Sequence, residues 1–373
     1  MPPLSLLIKP ASGNCDMRCR YCFYVDEMEN RSVANLGVMT ETTLRNVLKK
    51  SFEYAEQNCT IAFQGGEPTL AGMKYFEKCM ELVAEFNTKG CTVNYGIQTN
   101  GYRLNEEWVR FFKEHNFLVG ISLDGNKEVH DKYRIDAKGE GTYERVMASI
   151  ELLRKYEVEF NILTVVHAKT VKYTNQIYNF FKRNQFGYQQ YIECLDPIGE
   201  EPGNQEYSLT PEKYGLFLIN LFKKYYRDMS EGRYIYIRYF ENLIGIMMRQ
   251  PPESCAMMGC CGDYLTVEAD GSAYPCDFYV LDEWKLGDFN EDSIVDMAKK
   301  RLQLEFVEFS RHIPDECKEC RWFPLCRNGC RRNCEQTGIH HRTVNYFCPS
   351  YKMFFEYAYP YMEELYRRYQ GGH

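Results

Sequence analysis

The chain has 373 residues, 45% of them hydrophobic and 26% charged, with a formal net charge of −7 and 17 cysteines. That length suggests two or three domains with a large core, and the composition excludes a low-complexity chain. The acidic balance leaves no overall basic field to meet nucleic-acid phosphates, and no run of about 18 apolar residues offers a membrane span. The first residues show neither a charged segment leading an apolar stretch nor a small-residue cleavage site, so a soluble, cytoplasmic protein is expected. In that reducing compartment disulfides are disfavoured, and so many thiols point to metal or redox cofactors.

In chain order, a short apolar strand over Leu6 to Pro10 delivers a loop carrying Cys15, Cys19 and Cys22 within the run Asn14 to Phe23. Zinc sites pair such cysteines with a second pair or with histidines, and no nearby fourth ligand completes that set. Three thiolates on a four-iron cluster, which four would ordinarily close, leave one iron for a small molecule that can be reduced there. Further strands are predicted at Thr60 to Gln64, Thr92 to Gln98, Leu118 to Leu123, Phe160 to His167 and Gln190 to Leu195. Between them lie amphipathic helices at Glu41 to Glu56, Lys74 to Phe86, Glu106 to Glu114, Tyr143 to Tyr156 and Tyr173 to Asn184, their apolar positions three or four apart. The aromatic and methionine residues of these helices are core candidates. Strand and helix alternating about every thirty residues is the rhythm of a parallel α/β fold, with chemistry at the C-terminal ends of the strands.

The triad's spacing resembles the radical S-adenosylmethionine (SAM) superfamily, whose partial, TIM-like (β/α)6 barrel the six βα units would suit. Gln64-Gly65-Gly66-Glu67-Pro68 resembles that family's GGEP motif: glycines permit close backbone approach to a ligand, and the resemblance has Glu67 orienting the methionine amino group through charge-assisted contacts. Thr99-Asn100-Gly101 after the third strand is common turn chemistry. Ser122-Leu123-Asp124-Gly125 puts a hydroxyl and a carboxylate near the same rim, and the resemblance favours Ser122 as a SAM contact. It implies Arg134 for the SAM carboxylate, which a guanidinium fork suits, and Tyr21 and Leu195 for the adenine. A solvated arginine and ordinary packing are the alternatives. His130 and His167 have no partner at diagnostic spacing and read as structural or surface residues. The turn-rich segment Asp196 to Gln205 marks a connection after the barrel, and Tyr214 to Arg227 resumes a helical pattern.

The second cysteine-rich region runs Cys261-x9-Gly271-x4-Cys276, then Cys317-x2-Cys320-x5-Cys326-x3-Cys330, then Cys348. It resembles the SPASM extension of radical SAM enzymes that modify peptides and proteins. Cys255 adds an eighth thiol, enough for two fully ligated four-iron clusters. The resemblance suggests Cys255, Cys261, Cys276 and Cys330 for one and Cys317, Cys320, Cys326 and Cys348 for the other; zinc in one four-cysteine set is the competing reading. Tyr264 to Glu268 and Ala273-Tyr274, around Asp270-Gly271, read as a hairpin that brings Cys261 and Cys276 together. Cys260 and Cys334 lie beside proposed ligands and either could replace its neighbour. Cys59, Cys79, Cys91 and Cys194 read as buried thiols.

Tyr274-Pro275-Cys276-Asp277-Phe278-Tyr279 resembles the anaerobic sulfatase-maturating enzymes, in which the aspartate at the position of Asp277 is the expected general base; a solvated turn residue is the alternative. This resemblance covers nearly the whole chain. It implies SAM and three [4Fe-4S] clusters as cofactors, and oxidation of a sulfatase cysteine or serine to Cα-formylglycine. A 5′-deoxyadenosyl radical would take hydrogen from Cβ, Asp277 the thiol or hydroxyl proton, and an auxiliary cluster the last electron. The implied partners are a sulfatase segment bearing Cys/Ser-x-Pro-x-Arg and a low-potential electron donor, without nucleic acid or membrane. The alternatives are another SPASM maturase forming thioether or carbon-carbon crosslinks, and an electron-transfer module that binds SAM without cleaving it. The expected division is a barrel over residues 1–233, the auxiliary-cluster region over 234–350, and a C-terminal helix and tail over 351–373, with no role assigned to Gly371-Gly372-His373.

Overall fold

All six predicted strands are present: β1 (Leu4–Ile8), β2 (Asn58–Phe63), β3 (Thr92–Thr99), β4 (Leu118–Ser122), β5 (Phe160–Val166) and β6 (Tyr188–Glu193). The computed structural model describes residues 3–335 and 342–371; Gly372 and His373 lie outside them. β1 stops at Ile8 instead of running to Pro10, because proline has no N–H for the ladder. The predicted helices form at Glu41–Tyr54, Met73–Phe86, Glu106–Glu114, Tyr143–Lys155 and Thr174–Arg183. Two start on side-chain caps: Thr40 accepts from the Thr43 N–H and Asn105 from the Trp108 N–H, satisfying donors a helix start leaves open.

The chain divides into two compact units that do not follow chain order. The first comprises Met1–Ser122, Asp131–Phe160 and Asp263–Phe306, the second Leu123–His130, Asn161–Gly262 and Val307–His373.

In the first unit, β1, β2, β3 and β4 pair in parallel, Leu4 opposite Cys59 and Ile8 opposite Phe63. The free edge of β1 takes a further parallel neighbour, β8 (Leu265–Val267), with Ile8 opposite Val267. β8 turns antiparallel onto β9 (Ser272–Tyr274), the hairpin expected from the sequence. Cys276 and Asp277 follow β9, and the Asp277 carboxylate comes against Gln64, the residue after β2. Behind β2, Phe63 meets Phe76 at 4.9 Å and Phe76 meets Trp108 at 5.1 Å between ring centroids; each such ring contributes about 1.5–3 kcal/mol by burial. Cys59, Cys79 and Cys91 are buried.

In the second unit, β5 beyond its first residue, β6 and β7 (Tyr236–Ile237) pair in parallel. The helices Pro211–Ser230 and Cys348–Gly371 pack together through Phe222 and Phe354, 5.7 Å apart, so the aromatic C-terminal segment is a docked helix that starts on Cys348. Asp124, read from sequence as a rim carboxylate, is fully buried; its Oδ1 accepts the Val165 N–H at 3.0 Å. His130 and His167 are buried too: His130 Nδ1 accepts the Asp124 N–H, and His167 Nδ1 caps the helix Ala168–Lys172. Among the described residues no helix is long and apolar enough to cross a membrane.

Candidate active site and cluster-binding cysteines

Beyond β1 the chain turns sharply, and Cys15, Cys19 and Cys22 come to line one cavity of 630 Å³ together with Asn14, Tyr24 and Gly66. The GGEP segment is bonded to this loop: the Gly66 N–H donates to Ser12 O at 2.9 Å and the Glu67 N–H to Asn14 O at 2.7 Å. A Cβ on Gly66 would sit 2.1 Å from Asn14 O, so only glycine permits the approach. Burial raises the Cys15 and Cys22 thiols above their ordinary values. Such thiols stay protonated until a cation takes the proton's place, as thiolate ligation of iron does. Among the described residues no three His, Cys, Asp or Glu groups converge tightly enough for a single ion. Three thiols spread along one cavity wall suit a multi-iron group, with room left beside it.

Glu67 is buried to 1% exposure. Its carboxylate accepts from the Thr69 N–H (3.0 Å), the Thr69 hydroxyl (2.6 Å), the Thr99 hydroxyl (2.9 Å) and the Asn100 N–H (2.8 Å). Its acceptor sites are therefore engaged within the chain, where they brace the Thr99–Asn100 turn. Asn100 Nδ2 in turn donates to Asp16 Oδ1 at 2.8 Å and lies 3.6 Å from Cys15 Sγ. The turn that sequence could only class as common loop chemistry is thus tied to the first cysteine.

Ser122 ends β4, its hydroxyl accepting from Gln98 Nε2 at 3.2 Å. Arg134 is buried to 6% exposure, its guanidinium 5.5 Å from the Tyr21 ring and 4.0 Å from Cys19 Sγ. A surface arginine is not what the fold makes of it. Leu195 lies in the second unit, lining a cavity of 770 Å³ with Cys194, Asp196 and Phe347.

Asp277 is 5% exposed. Its Oδ2 accepts from the Tyr24 hydroxyl at 2.7 Å and Gln64 Nε2 at 3.0 Å, while Oδ1 has no hydrogen-bond partner among the described residues. Burial pushes this carboxyl above the usual range, with the charge of Lys9 and the Tyr24 hydrogen bond pulling back. Tyr24 both lines the cysteine cavity and holds Asp277. Beneath them Lys9 Nζ contacts Glu27 at 2.8 Å and Glu268 at 3.2 Å, and Arg31 contacts Glu268 at 2.9 Å, all buried. Burial alone would lower Lys9, but the surrounding carboxylates outweigh it and keep the ammonium charged.

Tyr24, Gln64, Lys9, Glu27 and Glu268 were not singled out as functional residues from sequence. One signal was present: a lysine inside the apolar run Leu6-Leu7-Ile8-Lys9, since lysine is almost never fully buried unless paired.

Cys276 lies beside Asp277 and accepts from the Tyr264 hydroxyl at 3.1 Å. In the second unit Cys317, Cys326 and Cys348 are each raised by burial and by the nearby Cys320, which puts the second predicted set in one neighbourhood; burial pushes Cys326 up to about 12. Cys255 and Cys261 likewise interact, and the Cys261 N–H donates to Ser310 Oγ at 2.9 Å. Cys334 is buried with its thiol directed at Asn328 O (3.0 Å) and Cys330 O (3.1 Å). Cys194 is buried, as expected.

The family model for the radical SAM superfamily matches residues 10–181, and that for an iron-sulfur cluster-binding domain, SPASM, residues 255–321. The cysteine-type anaerobic sulfatase-maturating enzyme of Clostridium novyi is 48% identical over 356 residues, covering 95% of each chain. The serine-type enzyme of Bacteroides thetaiotaomicron is 30% identical, covering 97% of this chain and 91% of that one. A solved structure of native anSMEcpe with bound AdoMet and Cp18Cys peptide superposes with a TM-score of 0.94 at 43% identity, over 98% of this chain and 99% of that one.

Proposed function

The chain belongs to the anaerobic sulfatase-maturating enzymes of the radical SAM superfamily, and from that premise we propose that it oxidises a cysteine of a sulfatase segment to Cα-formylglycine, taking serine less readily. The preference rests on likeness: 48% identity to a cysteine-type relative against 30% to a serine-type one. The observation that carries the reaction is Asp277, a buried carboxylate with one oxygen held and the other without a hydrogen-bond partner among the described residues, in a unit whose cysteine cavity is lined by the same Tyr24.

The first cluster with SAM, when bound, supplies hydrogen abstraction from the substrate Cβ, and the auxiliary clusters supply an exit for the remaining electron. Cys15, Cys19 and Cys22 would hold the first cluster. Glu67 sets the Thr99–Asn100 turn beside it, and Gly66, Ser122, Arg134 and Tyr21 of the first unit would receive SAM. Arg134 is the carboxylate partner that the family resemblance implies, the planar guanidinium fork matching a carboxylate's two oxygens. The eight cysteines from Cys255 to Cys348 would hold two further clusters.

Asp277 receives the substrate thiol proton on Oδ1 while Tyr24 and Gln64 hold Oδ2. Burial helps, because a carboxylate whose proton affinity is raised is a stronger base toward a thiol of ordinary pKa about 8.5. Lys9, beneath, offsets the negative charge while Asp277 is ionised. A cysteine that has lost a hydrogen atom from Cβ, a proton from sulfur and one electron is a thioaldehyde; water then adds and sulfide leaves, giving the aldehyde. Serine reaches the aldehyde directly.

The test is anaerobic incubation of the reconstituted enzyme with SAM, a low-potential reductant and paired Cys-x-Pro-x-Arg and Ser-x-Pro-x-Arg peptides. Mass spectrometry with hydrazide trapping should find the aldehyde, faster from cysteine. A product two hydrogens lighter without an aldehyde would assign a crosslinking maturase instead, and absence of 5′-deoxyadenosine would remove radical chemistry altogether.

A further inference from the structure

Arg342 is among the largest fully buried side chains, at 2% exposure, and lies in no part of the reaction described above. Its Nη1 donates to Gly259 O at 2.9 Å and to Ser310 O; its Nη2 donates to Asn328 O at 3.1 Å and to Gly329 O. These four bonds all end on neutral main-chain carbonyls. Its Nε is buried with no hydrogen-bond partner among the described residues. A guanidinium is costly to bury without an anion, and an unmet buried N–H adds to that cost.

Three of the four carbonyls come from loops that carry auxiliary cysteines, and the fourth, that of Ser310, from the helix Phe306–Arg311. Gly259 precedes Cys261, whose N–H is held by Ser310 Oγ, and Asn328 and Gly329 lie between Cys326 and Cys330. Asn328 Oδ1 also lies 3.6 Å from Cys317 Sγ. The guanidinium is thus bonded to loops that carry cysteines assigned to both ligand sets, with its Nε unmet and no carboxylate in an ion pair with it among the described residues.

We propose that Arg342 is an electrostatic positioning residue for the auxiliary clusters: its buried charge and open Nε–H stabilise their reduced, more negative state and so raise their reduction potentials. The inference rests on the auxiliary-cluster reading above. Net charge and hydrogen bonds to sulfur are the protein's levers on such potentials. The step served is a single electron transfer, the substrate-derived radical being oxidised as an auxiliary cluster is reduced, with no proton moved by Arg342. A fixed cation makes that transfer more favourable without touching the substrate.

The experiment compares anaerobically reconstituted wild type, Arg342→Gln and Arg342→Lys by iron content and by EPR-monitored potentiometric titration, with SAM added to mark the first cluster's signal. With iron at about 12 per chain, Arg342→Gln should move an auxiliary midpoint to lower potential, and Arg342→Lys should return most of the way to wild type. An unmoved midpoint in iron-replete Arg342→Gln overturns the proposal, as does an Arg342→Lys midpoint equal to that of Arg342→Gln. Equal loss of auxiliary iron from both variants overturns it too, since it would make the residue a clamp on carbonyls whatever its charge. Wild type holding only about 4 irons would instead remove the auxiliary-cluster reading itself.

Discussion

Asp277→Asn separates the role of base from every other role this residue could have. Asparagine matches aspartate in volume, and with its carbonyl oxygen at the Oδ2 position it still accepts from Tyr24 and Gln64, at 2.7 and 3.0 Å in the native site. The amide then occupies the Oδ1 position, which has no partner among the described residues, and presents an N–H donor where the substrate thiol needs an acceptor. Cavity shape, cluster ligation and SAM binding should survive, while proton removal loses its acceptor. A positioned general base is worth about 10²–10⁴-fold, or about 2.7–5.4 kcal/mol in the barrier at 1.36 kcal/mol per decade. Single-turnover assays that follow 5′-deoxyadenosine and peptide aldehyde separately should show SAM cleavage continuing while aldehyde formation falls by that factor. Near-normal aldehyde formation in the variant would refute the base assignment, and loss of iron or SAM binding would place Asp277 in the scaffold.

Three further outcomes follow from the geometry. Gly66→Ala would drive a methyl onto Asn14 O, 2.1 Å from the ideal Cβ position, and should displace the cysteine loop; iron should fall from about 12 to about 8 per chain as the first cluster is lost, and full iron content would show that the loop yields. Glu67→Gln keeps the side-chain shape but removes the charge that the donors of Thr69, Thr99 and Asn100 meet; SAM affinity measured by equilibrium dialysis should drop about tenfold, the worth of one charge-assisted hydrogen bond, with iron unchanged. Asp228 is buried, and although burial alone would raise it, Lys182, Arg233 and Tyr178 hold its carboxyl well below the usual range. A depressed folded value gives stability that is complete above the unfolded pKa of about 3.9 and is lost as pH falls through the folded one. Asp228→Asn should therefore cost about 1–3 kcal/mol in urea unfolding at pH 7, the lower range because Lys182 and Arg233 are part exposed, and the gap from wild type should close in strong acid.

Much of this site was legible in the chain because its signals are local. Cys15, Cys19 and Cys22 sit on one loop, and Cys317, Cys320 and Cys326 on one short stretch, so their spacing alone restricts what they can bind. The strands and helices were legible for a related reason: each carries its own apolar period, and β1 through β6 lie within two residues of where that period put them. Polar residues at strand ends were harder. Asp124 and Ser122 are two positions apart after the same strand, yet Asp124 is spent on the Val165 N–H while Ser122 meets Gln98; which way each turns depends on the neighbouring strand and not on its own segment.

By itself, then, the sequence determined the strand and helix rhythm, the cysteine sets and, through Cys276-Asp277, the candidate base. Tertiary structure alone decided what surrounds that base. Tyr24 and Asp277 are 253 positions apart and meet because β8 pairs with β1, which also places Lys9 beside Glu268. Arg342 carries no pattern in the chain, and its burial among carbonyls from three separate segments exists only once those segments have closed around it. The physical reason is range: periodicity and ligand spacing are properties of one segment, whereas the desolvation and pairing that tune a charge depend on which distant segments pack against it.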